Sequence, residues 1–145
     1  MNILDGLQDY LDGMFAAASS ASEWIGVSDV CAYILYQENF LMEFCSLFHL
    51  KYSDYAIEET DSTLKEELSR WLNGDGKSRR LMEAINFHLM RRAGKPGKIS
   101  RFTDEKKAID KLSGTKGYGP YFFIEDLFFV SYKGFTLAFF MGNDE

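Results

Sequence analysis

Residues 121–141 read YFFIEDLFFVSYKGFTLAFFM, and the reading of this stretch decides the fold class. Lys133–Gly134 separates two aromatic-rich runs, the pattern of a two-residue hairpin turn. With Tyr132 opposite Phe135, Val130 faces Leu137 and Phe128 faces Phe139 on one side of the sheet. Phe129, Ser131, Thr136, Ala138 and Phe140 share the other side. Both sides are mostly apolar, so each needs a covering layer. Glu125–Asp126 interrupts the first run as a turn or bulge. Two or three strands alone are marginally stable. Helices from upstream, or a second copy in a homodimer, must complete the structure.

Upstream of the hairpin the spacing predicts five helices, over 2–18, 28–50, 54–73, 78–93 and 103–113. In the first, Leu4, Leu7, Leu11 and Phe15 form an apolar stripe, and Asp5, Asp9 and Asp12 fall on the opposite face. The 28–50 stretch is apolar and aromatic; Gln37–Glu38–Asn39 marks a kink or break. Thr63 and Glu66 have capping-box spacing. Asn73–Gly76 stops one helix, and Gly94 and Pro96 stop the next. Residues 93–100 and 114–120 read as Gly-containing loops. The class is therefore α+β, one domain over 1–145, with helices packed on a small antiparallel sheet.

Composition supports a sizeable core. Apolar residues are 46% of the chain and aromatics 16%, too hydrophobic for a disordered segment. The N-terminus lacks the basic start of a secretory signal, and no apolar run reaches about 18 residues. The expected location is the cytoplasm, of its own cell or of a host. Cys31 and Cys45 would lie about 21 Å apart on one straight helix, too far for a disulfide. They read as two buried free thiols.

Chemical motifs are scarce. Gly74-Asp75-Gly76-Lys77-Ser78 resembles the end of a phosphate-binding loop, but Trp71 stands where that loop needs glycine. Cys45 and His49 share an i, i+4 relation that lacks further metal ligands nearby. His88 falls on a core-facing stripe. No catalytic residue, metal or cofactor is expected. A small ligand pocket using Tyr118, Glu125 and His88 is the weaker enzymatic or ligand-binding alternative.

The charge is uneven. Residues 1–76 hold 3 Lys/Arg against 14 Asp/Glu, and residues 77–107 hold 10 against 3, within a net charge of −6. An acidic recognition face is expected from Asp5, Asp9, Asp12, Glu58, Glu59, Glu66 and Glu67. Such a face steers association with a basic partner. The alternative site is the basic patch Lys77, Arg79, Arg80, Arg91 and Arg92, serving a nucleic-acid-associated regulator. Pairing of these cations with the acidic N-terminal region is the simpler expectation. Net acidity disfavours nucleic acid and anionic membrane. In size and composition the chain looks like immunity proteins, antitoxins and phage-encoded inhibitors of host defence. The functional expectation is a small acidic protein that binds and blocks a protein partner.

Overall fold

The computed structural model describes residues 4–21, 29–72, 76–113 and 119–144. The elements in chain order are α1 (Leu7–Ala21), β1 (Asp29–Leu35), α2 (Phe40–Leu47), β2 (Ile57–Thr60), α3 (Leu64–Trp71), α4 (Gly76–Ala93), β3 (Ile99–Phe102), α5 (Glu105–Leu112), β4 (Phe123–Tyr132) and β5 (Phe135–Asn143). A 3-10 turn at Tyr52–Asp54 precedes β2. The fold is α+β, and the strands form one antiparallel sheet in the order β1-β5-β4-β3-β2.

The β4–β5 hairpin has the expected register. Tyr132 pairs with Phe135, Val130 with Leu137 and Phe128 with Phe139. Gly134 takes φ 89°, the left-handed conformation that glycine adopts without steric cost. The register slips between Ile124 and Asp126, so Glu125 is the extra residue of a bulge. This slip puts Ile124 and Asp126 on opposite faces.

Helices cover both faces. Leu7, Leu11 and Phe15 of α1, Leu68 and Trp71 of α3, and Ile85 and Leu89 of α4 pack on Ile34, Phe128, Val130, Leu137 and Phe139. Phe44 and Cys45 of α2 and Ala108 and Leu112 of α5 pack on Leu35, Phe102, Phe129 and Phe140. The central strands are therefore buried on both sides, as the two apolar hairpin faces require.

The helix expected over 28–50 is instead a strand and a shorter helix. Along 29–35, Val30, Ala32 and Ile34 face one core, and Tyr33 and Leu35 the other. Because both faces are apolar, the period-two signal is hidden and the run mimics a buried helix. The break at Gln37–Glu38–Asn39 is real: the Asn39 side chain accepts from Met42 N and caps α2. The helix expected over 54–73 likewise divides into β2 and α3. Thr63 and Glu66 do form the capping box that starts α3. The loop expected at 93–100 ends in β3, which begins at Ile99. Residues 73–75, 114–118 and the Ser28 cap position lie outside the described residues.

Both edges are protected. Gln8 of α1 donates to Ala32 O at 2.7 Å and accepts from Ile34 N at 2.9 Å, so its amide occupies the outer edge of β1. At the other edge, β2 has only four residues and carries exposed Glu58 and Glu59. Short, charged edges resist pairing with another chain. Among the described residues no helix is long and apolar enough to cross a membrane.

Candidate functional site

The acidic residues divide into three groups. Asp5, in the turn before α1, and Asp9 and Asp12 of α1 are all exposed, with Asp9 opposite buried Leu7 and Leu11. Asp12 accepts from Gln8 Nε2 at 2.9 Å, and neither Asp9 nor Asp12 makes an ion pair with a described residue. Glu58 and Glu59 lie on β2, whereas α1 packs on β1 at the opposite edge. Four strand spacings, about 19 Å, separate those edges. Adjacent strand residues also point to opposite faces, so Glu58 and Glu59 do not share one. Glu66 is exposed and committed to the α3 cap. The seven acids expected to form one recognition face do not gather, and the ridge reduces to α1.

Glu67 corrects that expectation most sharply. Its side chain is 1% exposed and lies against Arg101 of β3. It also accepts from Arg70 Nη1 at 3.1 Å. Arg101 donates to Asp126 Oδ1 at 2.7 Å and to Glu105 Oε1 at 2.9 Å. Trp71 Nε1 donates to Asp126 Oδ2 at 2.7 Å. Burial works against the Arg101 charge, but bonds from Asp126 and Glu67 outweigh it and hold the pKa above its ordinary value. The guanidinium thus ties α3, α5 and β4 to β3. The acid at Asp126, anomalous between apolar runs, becomes intelligible only here, because the bulge at Glu125 turns it toward Trp71.

A cleft of about 430 Å³ opens between α1 and β1, lined by Asp12, Phe15, Ala16, Asp29, Val30, Cys31 and Tyr121. The Cys31 thiol lies beside the Tyr121 and Tyr33 side chains. Burial, reinforced by Asp12 and Asp29, pushes its pKa up to about 11, although the two tyrosines act the other way. Burial and the neighbouring Cys31 push Tyr33 up to about 12. The thiol is thus protonated at neutral pH and a poor nucleophile. Alkylation of Cys31 by iodoacetamide at pH 8 should be about 100-fold slower in the folded protein than in the unfolded chain, the thiolate ratio for a two-unit shift. Equal rates by peptide mass spectrometry would contradict this environment. The shift also links stability to pH. An unfolded thiol releases its proton near the ordinary value of 9.0, and the folded one holds it until about 11. The contribution is therefore whole below pH 9 and drains as pH rises toward 11. Cys31→Ser should flatten the fall in stability across that window in urea titrations.

The basic patch also differs from expectation. Arg79, Arg80, Arg91 and Arg92 are exposed on α4, and none makes an ion pair with a described residue. None of the four forms an ion pair with Asp9 or Asp12. Arg92 stacks over Tyr10 of α1 at 4.5 Å, and Arg91 lies 5.7 Å from its own neighbour Phe87. Lys77 belongs to the first turn of α4. His88, expected to face the core, is exposed and lines a small cleft with Tyr10. Glu125 accepts from Asn143 at 2.9 Å on the hairpin. Tyr118 lies outside the described residues. Cys45 is buried in the last turn of α2, which ends at Leu47, and His49 follows with φ 61°. These two do not share one helix.

No family model, curated protein or solved structure matches this chain.

Proposed function

We propose that this protein binds and blocks a partner protein with a basic surface, using the outward acidic ridge of α1. The observation that carries the reading is that Asp9 and Asp12 are exposed and make no ion pair with a described residue, although four arginines stand on a helix of the same layer. Those cations lie on α4 and leave the α1 carboxylates open to solvent. Asp12 also borders the α1–β1 cleft with Asp29. A lysine or arginine from the partner would meet two carboxylates there, beside the Tyr121 ring. Charge at such a ridge acts mainly on encounter, so it speeds association more than it slows release. Immunity proteins, antitoxins and phage-encoded inhibitors work as acidic blockers of this kind, and the chain shares their size and charge.

Reversing the ridge as Asp5→Lys, Asp9→Lys and Asp12→Lys tests this reading. These positions are exposed, so the fold should persist. With the native partner, the association rate at low salt should fall by about tenfold or more. It should also lose most of its salt dependence. An unchanged rate at low salt would exclude this ridge.

A further inference from the structure

The outer face of α4 carries a different message and stands independently of the α1 reading. Its inner stripe, Met82, Ile85 and Leu89, is buried in the core. Phe87 lies about 160° around the helix from both Ile85 and Leu89, as far from its own core as the helix allows. It is 57% exposed, and Met90 beside it is 56% exposed. Among the described residues no side chain covers either of them fully. Phe, Met and Arg together are the composition of protein interfaces.

The stripe is also symmetric about Phe87. Glu83 and Arg91 stand four residues to either side, and Ala84 and Met90 three residues to either side. When two copies of such a helix cross antiparallel on a two-fold axis, residues equidistant from the axis meet. Phe87 then packs on the Phe87 of the second copy. Glu83 meets Arg91, and the small Ala84 receives the long Met90. Each contact occurs twice. Glu83 pairs with Lys65 at 2.7 Å, but both side chains are more than half exposed, so that pair leaves Glu83 open to a second cation.

We infer that the outer face of α4 docks on the same face of a second copy, antiparallel, with Phe87 on the two-fold axis. One helix against one helix is a small interface, so the dissociation constant belongs in the range of about 10–100 μM.

Sedimentation equilibrium from about 1 μM to 1 mM should show a monomer–dimer transition in that range. Glu83→Arg alone and Arg91→Glu alone should each weaken it about tenfold or more. The two together should restore it, since the pair is exchanged and the contact kept. Phe87→Cys should form a disulfide-linked dimer under oxidised glutathione, because a residue on the axis meets its own copy. Arg79→Cys, exposed but off the axis, should link far more slowly. All these side chains are exposed, so the monomer fold is not at stake. A monomer at every concentration overturns the inference. So does failure of the double exchange to restore association, or equal linking through positions 79 and 87.

Discussion

Replacing Arg101 with methionine should cost about 3–5 kcal/mol of stability, the range for removing one partner of a buried ion pair. The methionine keeps most of the aliphatic stem, so the loss measures the missing charge rather than missing volume. Glu67 is 1% exposed and would retain only Arg70, whose side chain is 59% exposed. Asp126 would keep the Trp71 N–H and lose both guanidinium bonds. Urea unfolding of the variant gives the number directly. Adding Glu67→Leu to Arg101→Met should recover part of the loss, because a buried unpaired charge is then gone. Losses that simply add, or a single-variant cost under about 1 kcal/mol, would show that Arg101 behaves like an exposed surface pair.

Phe44→Ala should be comparably severe, at about 3–5 kcal/mol. Phe44 is fully buried on the inner face of α2. Its ring centroid lies 4.7 Å from that of Phe48, 5.0 Å from Phe129, 5.8 Å from Phe140 and 5.9 Å from Phe102. Truncation removes the ring around which the second core is assembled. Four large aromatic neighbours cannot close the space without leaving their rotamers. The exposed Leu47 of the same helix provides the contrast, and Leu47→Ala should change stability by less than about 0.5 kcal/mol. Similar costs at the two positions would mean that α2 is not seated on the sheet as described.

The parts legible in the sequence are those fixed by local chemistry. The Lys133–Gly134 turn set the hairpin register, and the Thr63–Glu66 spacing announced the start of α3. The Gln37–Asn39 break was visible because its residue types are poor in a buried helix. The segments that escaped reading are the remaining strands. The run at 29–35 faces two cores and therefore lacks alternation. IEET at 57–60 and ISRF at 99–102 are four residues each, too short for periodicity to speak. Their identity as strands comes from partners distant in sequence, as in the pairing of Glu58 with Arg101. The same distance hid the Arg101 cluster, whose members come from four elements. Charge segregation was legible as composition, but its distribution over the two sheet edges needed the topology.

The binding reading rests on the α1 ridge, and comparative affinity capture reaches it most directly. Wild-type protein and the Asp5→Lys, Asp9→Lys, Asp12→Lys variant would be immobilised in parallel and exposed to lysate of the cell in which the protein acts. Retained proteins would be quantified by mass spectrometry. The account expects a basic protein held by the wild type and lost from the reversed variant, with Arg79→Glu, Arg80→Glu binding it as before. Equal retention by wild type and ridge variant, or loss only in the α4 variant, would contradict it.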